Sequence, residues 1–389
     1  MTPAARINAA IHILDAIIAG QPAEPALLGW ARNSRFAGSG DRAAVRDLVF
    51  EALRRRDSLA ALGGTLSGRG LMLGLLRLRN EAPELVFNGE GHAPAPLSAE
   101  ELSTGVSADE ADQISDLPDW IWPDWSASLG QDAMAAAHVM RARAPVWLRV
   151  NLRRADPCVA QDELAKDGIE TEANCDLPSA LRVIAGERRI AGSTAYKSGM
   201  VELQDLSPQL ACAALPLLPG ASVLDYCAGG GGKALALAAR ENIMLTAHDI
   251  SAARMADLPA RAARAGVQIA MSPPQKLGRD YDLVLIDVPC SGSGTWRRSP
   301  DAKWRLNRTD LDKLVETQAA ILRQAARLVA PGGRLAYMTC SVLDRENDDQ
   351  ITDFVGQTPE FIVEKRENWL TPHGSDGFYL SLMLRAGAR

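Results

Sequence analysis

The sequence has no excess of basic residues, no long apolar run and no recognisable signal peptide. Its 42 Lys and Arg face 48 Asp and Glu, so any polyanionic partner must bind to a local basic patch. No segment approaches the roughly 20 apolar residues that span a bilayer. The first residues lack the basic and apolar regions of a signal peptide. We therefore expect a cytoplasmic protein with no membrane partner.

Cysteine is scarce and never occurs as a CxxC pair. The six cysteines stand at positions 158, 175, 212, 227, 290 and 340. Zinc knuckles and thioredoxin-like sites need closely spaced pairs, so this spacing argues against both kinds of site. We expect free thiols, as in a reducing compartment, and no bound metal.

The composition is typical of a globular protein with two or three domains. Hydrophobic residues make up 47% and charged residues 23% of the 389 residues. Apolar positions recur at helical spacing near the N-terminus, whereas residues 84–119 contain nine acids and no Lys or Arg. We predict a helical domain over 1–83, an acidic linker over 84–116, a small α+β module over 117–200 and an α/β domain over 201–389.

The predicted α/β domain alternates strand-like and helical segments. Strands are predicted over 222–225, 244–249, 267–270, 283–287 and 334–339. This alternation implies a mostly parallel sheet with helices on both faces. Such sheets bind their ligands at the carboxyl ends of the strands, so functional residues are expected directly after each strand.

A glycine-rich loop follows the first of these strands and precedes a helix. It reads Cys227-Ala228-Gly229-Gly230-Gly231-Gly232-Lys233. A P-loop requires GxxxxGK[ST], which fails because Cys227 and Ala234 occupy two of the required positions. A dinucleotide fingerprint, GxGxxA, fits formally, with Asp249 about 20 residues further on to bind ribose. A loop of this kind also binds S-adenosylmethionine, so the glycines alone leave both cofactors open.

Two cysteines stand at the carboxyl ends of neighbouring predicted strands. Cys290 lies in Asp287-Val288-Pro289-Cys290-Ser291-Gly292, and Cys340 lies in Thr339-Cys340-Ser341. A cysteine that only fills a core is expected within a strand or on a helix face. A hydride-transfer enzyme has no use for two thiols at this rim, which disfavours the dinucleotide interpretation.

The order of these motifs resembles the RsmB/Nop (NSUN-type) family of RNA (cytosine-5)-methyltransferases. The matching segments are Gln204-Asp205, the Cys-Ala-x-x-Gly-Gly-Lys loop, Asp249, Asp-x-Pro-Cys-Ser-Gly-x-Gly, Arg-Arg-x-Pro-Asp-x-Lys-Trp, Thr-Cys-Ser, Glu346-Asn347 and Asp376-Gly377-Phe378. The resemblance covers about residues 117–385. Residues 1–80, which include Gly40-Asp41-Arg42 and Leu53-Arg54-Arg55, are similar to the NusB-like helical domain of RsmB-type enzymes.

The resemblance implies a class I, Rossmann-like methyltransferase domain behind a small α+β module and an N-terminal all-α, NusB-like domain. It implies methylation of C5 of a cytosine in 16S, small-subunit ribosomal RNA. In this reaction a thiolate adds to C6 and thereby makes C5 nucleophilic. It assigns the nucleophile to Cys340 and product release to Cys290, although the residues alone permit either cysteine as nucleophile. Asp287 is expected to hydrogen-bond N3, and Lys233 is a candidate cation beside the nucleophile.

The resemblance also implies S-adenosylmethionine as the cofactor. The residues expected to bind it are Cys227, Ala228, Gly229, Gly230, Gly231, Gly232, Lys233, Asp249, Arg254, Ser272 and Asp287. Two departures from the family pattern affect this site. Gly229-Gly230 stand where the family usually has Ala-Pro, and Ser272 stands where many members have an acid that contacts adenine.

The RNA is expected to bind to a basic segment beside the reactive loop. Residues 296–308 hold five basic side chains, one acid and two tryptophans, a combination that suits phosphates and stacked bases. The predicted RNA contacts are Arg297, Arg298, Lys303, Arg305 and Arg149. We expect a monomer, because such enzymes need an accessible cleft. An RNA-binding assembly factor with little catalysis is the alternative function.

Overall fold

The structure is a computed structural model that describes residues 1–273, 276–370 and 374–387. Its chain forms two compact units. Unit 1 comprises Met1–Arg143 together with Trp296–Arg308, and unit 2 comprises Ala144–Thr295 together with Thr309–Arg389. This division differs from the predicted domains, because 117–143 and the basic segment 296–308 both belong to the helical unit.

Unit 1 is built from helices alone. They are α1 (Pro3–Ile18), α2 (Ala23–Asn33), α3 (Ser39–Arg54), α4 (Arg56–Gly63), α5 (Gly68–Leu78), α6 (Pro83–Val86), α7 (Ala99–Ser103), α8 (Ala108–Asp112), α9 (Trp122–Leu129), α10 (Ala133–Val139) and α16 (Pro300–Arg305). Leu14, Val49, Leu59 and Leu71 are among the fully buried side chains of its core. Within the described residues no single helix is long and apolar enough to cross a membrane, although α4 and α5 together pass that test across a bend of 87°.

The acidic stretch predicted as a linker folds onto unit 1. Its acids serve as structural partners: Glu101 and Glu110 close capping boxes at the starts of α7 and α8. Arg69 Nε lies 2.5 Å from Glu101 Oε1, and hydrogen bonding to Arg69 lowers the pKa of Glu101 to about 2. The backbone amide of Val106 donates to the carbonyl of Ala61 in α4 at 3.1 Å. The run of acids is therefore an ordered part of the helical unit.

Unit 2 begins with a small antiparallel sheet. Its strands are β1 (Trp147–Val150), β2 (Glu170–Ala173), β3 (Ala180–Ala185) and β4 (Val201–Leu203), in the order β2-β3-β1-β4. The helices α11 (Pro157–Lys166) and α12 (Thr194–Lys197) accompany it, and Leu148, Leu164 and Leu181 are fully buried in its core. Because β4 pairs with β1, the module extends past the predicted boundary at residue 200.

The second sheet of unit 2 has seven strands in the order β10-β11-β9-β8-β5-β6-β7. They are β5 (Ser222–Asp225), β6 (Met244–Ala247), β7 (Ala270–Met271), β8 (Tyr281–Asp287), β9 (Val329–Thr339), β10 (Phe361–Trp369) and β11 (Phe378–Arg385). The five strands β5 to β9 pair in parallel, and β10 and β11 add an antiparallel edge. The sheet is flanked by α13 (Leu206–Ala214), α14 (Gly232–Arg240), α15 (Leu258–Ala265), α17 (Arg308–Ala326) and α18 (Asp348–Gln357).

The central parallel strands β5, β8 and β9 lie in the interior of unit 2 and bury side chains on both faces. One face contributes Val223, Leu285 and Met338 to a core with α13 and α14, and the other contributes Val284 and Tyr337 to a second core. A sheet covered in this way leaves only its strand ends near solvent. The carboxyl ends of β5, β6, β8 and β9 therefore gather the loops that carry the predicted site.

Candidate active site

The glycine loop between β5 and α14 requires glycine at two positions. Gly229 has φ of +50° and Gly231 has φ of +78°, in the left-handed region that disfavours other residues. A Cβ at Gly231 would lie 2.2 Å from Leu258 Cδ1, inside van der Waals contact. The loop is held in place because the Ala228 amide donates to the carbonyl of His248 at 2.8 Å. The backbone at the start of α14 is thus left open to a ligand.

Asp249 links the end of β6 to this loop. Its carboxylate is 4% exposed and accepts from the backbone amides of Gly229 and Ser251, each at 2.9 Å. Arg254 lies 3.3 Å from the same carboxylate, so the predicted pair of Asp249 and Arg254 is brought together. A carboxylate fixed in this way keeps free lone pairs that can accept from ligand hydroxyls.

Asp225, the last residue of β5, is a buried acid outside the set of residues predicted to bind the cofactor. Neither of its oxygens makes a hydrogen bond of normal geometry within the described residues. Burial raises its pKa to about 7, although Lys233 partly opposes this shift. Burial also raises the pKa of the neighbouring Cys227 thiol, and the carboxylates of Asp225 and Asp287 add to that effect. A buried acid at the carboxyl end of a central strand suits a cationic ligand.

Ser272 follows the short strand β7 and continues its pairing with β6. The Ser272 amide donates to Ala247 at 3.0 Å, and the Ser272 carbonyl lies 3.1 Å from His248 Nδ1. Ile250, next to Asp249, is 92% exposed. The strand ends thus offer an apolar side chain and a serine where an adenine could lie, but no acid at position 272.

Lys233 and Asp287 form an ion pair between the first turn of α14 and the end of β8. Burial alone would lower the pKa of Lys233, but the Asp287 carboxylate outweighs it and raises that pKa. The Lys233 ammonium also lies 5.2 Å from the centre of the Phe378 ring, a distance typical of cation–π contacts. The lysine is therefore held charged beside the strand ends.

The two predicted cysteines meet at the ends of the adjacent strands β8 and β9. The Sγ atoms of Cys290 and Cys340 are 3.3 Å apart, and both residues are partly exposed free cysteines. The hydrogen bond with Cys340 and burial together raise the pKa of Cys290 well above its ordinary value. Two thiols at this distance can share one proton, so that Cys290 stays protonated while its neighbour reacts.

Three of the five predicted RNA contacts are buried in this structure. Lys303 is 1% exposed and donates to the backbone carbonyls of Arg54 and Asp116 within unit 1. Arg297 is 3% exposed in the same unit, and its carbonyl accepts from Arg54. Arg149 is 7% exposed and donates to Gln204 Oε1 at 2.6 Å in unit 2.

The other two predicted contacts, Arg298 and Arg305, are exposed. Both belong to the basic segment of unit 1, whose Trp296 stacks on Trp125 with ring centres 5.9 Å apart. Trp304 donates through Nε1 to the carbonyl of Leu53 at 2.7 Å. The aromatic residues of this segment are therefore engaged within the helical unit, and only exposed arginines remain suited to phosphates.

Comparisons with known proteins identify relatives of this chain. The family model described as 16S rRNA methyltransferase RsmB/F matches residues 212–381, and a ferredoxin-like domain of RsmF/B-like methyltransferases matches residues 117–187. The chain is 30% identical to ribosomal RNA small subunit methyltransferase B of Xanthomonas campestris over 391 residues, which cover 89% of each chain. It is 31% identical to the protein of that name from Xylella fastidiosa (strain 9a5c), over 89% of this chain and 92% of that protein.

Solved structures share the fold. The crystal structure of PH0851 is similar over 98% of this chain and 99% of that one, with a TM-score of 0.76 and 22% identity. NSun6 from Pyrococcus horikoshii with SFG is similar over 70% of this chain and 99% of that one, with a TM-score of 0.61 and 16% identity. At these identities the likeness shows the fold alone, and it agrees with the predicted Rossmann-like α/β architecture.

Proposed function

The chain belongs to the RsmB/F family of ribosomal RNA small subunit methyltransferases, and from this premise we propose that it methylates C5 of a cytosine in small-subunit ribosomal RNA. S-adenosylmethionine is the cofactor of this family and supplies a methyl group on a cationic sulfur. The observation that carries the proposal is the pair of thiols, Cys290 and Cys340, 3.3 Å apart at the ends of β8 and β9.

The chemistry explains why a thiol is needed. C5 of cytosine is a poor nucleophile, but a thiolate that adds to C6 pushes electrons toward C5, N3 and O2. C5 can then take up the methyl group. Removal of the C5 proton restores the double bond between C5 and C6 and expels the thiolate. The site must therefore supply one nucleophile and one base for adjacent carbon atoms.

We assign the nucleophile to Cys340 and the base to Cys290. The raised pKa of Cys290 keeps its proton in place, so Cys290 can donate a hydrogen bond to a Cys340 thiolate. The largest cause of that raised pKa is the side chain of Cys340 itself. Once Cys340 is bonded to C6, this cause is removed, and Cys290 becomes able to lose its proton and act as a base.

Asp287 and Lys233 are proposed to stabilise the charge that develops on the base. Addition at C6 makes N3 and O2 more negative. A proton held between Asp287 and Lys233 would stabilise that negative charge by hydrogen bonding. The ion pair between these two residues supplies such a proton at the end of β8. The same pair fixes the start of α14, so the cofactor loop and the reacting base are positioned from one point.

The cofactor is proposed to lie across the ends of β5, β6 and β7. The loop from Cys227 to Gly232 would approach it through the backbone, and Asp249 would accept from ribose hydroxyls. Asp225 supplies a buried acid for a positively charged ligand. Exposed Ile250 and Ser272 would border the adenine.

RNA is proposed to contact the exposed arginines of the basic segment, Arg298 and Arg305. The helical unit is proposed to be NusB-like and to bind RNA, and the enzyme is proposed to act as a monomer. With more acids than bases overall, the affinity for RNA should be modest, and because it rests on contacts between arginines and phosphates it should weaken steeply as salt increases.

Radioactive methyl transfer tests the proposed reaction. The protein is incubated with methyl-labelled S-adenosylmethionine and small-subunit ribosomal RNA, and the RNA is digested to nucleosides. We expect the label to elute with 5-methylcytidine. Label in another nucleoside would contradict the C5 assignment. RNA binding without label, from both naked RNA and small ribosomal subunits, would favour the assembly-factor function.

The buried acid at the end of β5 predicts a pH dependence of cofactor binding. Asp225, with a pKa of about 7, is neutral at lower pH and negative at higher pH. The affinity for the cationic cofactor should therefore fall by up to about tenfold per pH unit below 7 and level off above it. Calorimetry between pH 6 and 8 measures this. Asp225→Asn should bind more weakly at pH 8 with a flat profile, and a flat profile in the unaltered protein would contradict the role of Asp225.

A further inference from the structure

The carboxylate of Glu346 lies between the two cysteine loops and is fully buried. It follows β9 in a short 3-10 turn, Asp344–Glu346. One oxygen, Oε1, accepts from the Ser291 amide at 2.8 Å and from Gln318 Nε2 at 2.9 Å. The other, Oε2, accepts from the hydroxyls of Ser291 and Ser341, each at 2.5 Å. All four donors are aimed at one carboxylate.

These donors come from residues adjacent to the two reactive cysteines. Ser291 follows Cys290, and Ser341 follows Cys340. A single carboxylate therefore binds both loops at the residues next to their thiols. Gln318 adds a third anchor, since its amide nitrogen also donates to the Pro289 carbonyl, immediately before Cys290, at 2.9 Å.

A second layer of contacts joins the same loops. Ser293 Oγ lies 2.9 Å from Ser341 Oγ and accepts from the Val342 amide at 2.9 Å. The Gly294 amide donates to the carbonyl of Cys340 at 2.9 Å. Every member of this layer lies within three or four residues of a reactive cysteine. Polar contacts therefore join the two cysteine loops directly.

The Glu346 backbone is itself fixed to β9. Tyr337 donates through its hydroxyl to the Glu346 carbonyl at 2.5 Å. The next residue, Asn347, accepts from Thr339 Oγ1 at 2.6 Å and donates to the Ser341 carbonyl at 3.0 Å. The carboxylate therefore has a defined position relative to the strand that carries Cys340.

We propose that Glu346 is a positioning residue that sets the distance between the thiols of Cys290 and Cys340. This inference rests on the proposed function for its catalytic meaning, because Cys290 must reach the proton on C5 while Cys340 is bonded to the adjacent C6. An ionised carboxylate only accepts hydrogen bonds, so it can satisfy four donors at once. A neutral amide at this place would turn one of its two ends into a donor facing donors.

A thiol-specific oxidant measures the spacing without RNA or cofactor. Diamide takes two electrons and two protons from a pair of thiols, which become a disulfide while diamide becomes a hydrazine. In the unaltered protein, Cys290 and Cys340 should form a disulfide rapidly, as followed by peptide mapping. In Glu346→Gln, disulfide formation should slow by about tenfold, and turnover on RNA should fall by about 10²-fold, the loss expected for a misplacement of about 1 Å.

Two controls separate positioning from a general loss of structure. Glu364→Gln removes a carboxylate of the same unit that pairs with Arg334 at 2.7 Å on the exposed side of the sheet, and it should change neither rate. S-adenosylmethionine affinity of Glu346→Gln should stay within about twofold of the unaltered protein, because the carboxylate does not contact the glycine loop. If Glu346→Gln fails to fold, the double variant Ser291→Ala and Ser341→Ala removes the two hydroxyl donors and should show the same slow oxidation.

Three results would overturn the inference. One is folded Glu346→Gln with unchanged rates of oxidation and turnover. Another is a loss of turnover with unchanged oxidation, which would give Glu346 another role. The third is unchanged oxidation in the double serine variant. If the protein methylates no cytosine, slow oxidation of Glu346→Gln would still support the positioning role, so the two proposals fail separately.

Discussion

Replacing Cys340 with alanine should lower the rate of methyl transfer to RNA by at least about 10⁴-fold, because removing a catalytic nucleophile costs losses of this order or more. Without the thiolate, C5 of cytosine stays unreactive toward the methyl group. S-adenosylmethionine should still bind with nearly unchanged affinity, because the cofactor loop lies after β5 and Cys340 follows β9. Single-turnover transfer of labelled methyl, with binding measured by calorimetry, checks both parts.

Cys158→Ala provides the matched control for this loss. Cys158 is a free, exposed cysteine in α11, far in sequence from either reactive loop, and its removal should leave the transfer rate unchanged. Cys290→Ala should behave differently again, since it should transfer a methyl group but release RNA slowly. Methyl transfer by Cys340→Ala within tenfold of the unaltered rate would rule out Cys340 as the nucleophile.

Asp116→Ala should destabilise unit 1 by about 3–5 kcal/mol, the usual cost of breaking a buried ion pair. Asp116 is 1% exposed, and its carboxylate accepts from the amides of Asp57 and Ser58 and from the Ser58 hydroxyl, at 2.8–2.9 Å. The Nε of Arg141 lies 2.8 Å from the same carboxylate. Alanine would leave the Asp57 and Ser58 donors without this acceptor, and the buried guanidinium of Arg141 would keep only the exposed Asp112 as a charged partner.

The measurement is urea unfolding followed by tryptophan fluorescence, which reports mainly on unit 1. Six of the eight tryptophans lie there: Trp30, Trp120, Trp122, Trp125, Trp296 and Trp304. Asp112→Asn is the control, because Asp112 pairs with Arg141 at 2.7 Å but its side chain is 62% exposed. We expect Asp112→Asn to lower the free energy of unfolding by less than about 1 kcal/mol, because this ion pair is exposed. Equal losses from both variants would contradict the importance of the buried network.

The sequence predicted the central strands β5 and β8 well, because both are buried on both faces and therefore appear as continuous apolar runs. The predicted strands at 222–225 and 283–287 coincide with β5 and most of β8. The third predicted strand, 267–270, is confirmed only at its end, since β7 is Ala270–Met271. Such a short edge strand is defined by its pairing with β6 rather than by its own residues.

The roles of Lys303 and Glu346 could not be predicted, because they depend on contacts between residues that are distant in the sequence. Lys303 lies in a segment whose composition is typical of RNA contacts. Its hydrogen-bond partners, Arg54 and Asp116, lie 249 and 187 residues away in the sequence. Burial lowers the pKa of Lys303 to about 7. The neighbouring sequence gives no sign that this lysine is buried. The same holds for Glu346, which the motif Glu346-Asn347 marked without suggesting that its carboxylate joins both cysteine loops.

The central claim is that Cys340 forms a covalent bond to RNA and that Cys290 is needed to release it. Cys290→Ala, incubated with S-adenosylmethionine and small-subunit ribosomal RNA, tests this claim on a denaturing protein gel. We predict a slowly migrating band that RNase removes and that disappears when Cys340 is also replaced by alanine. A band that forms instead in Cys340→Ala and requires Cys290, or methylated RNA without a band in either variant, would contradict the account.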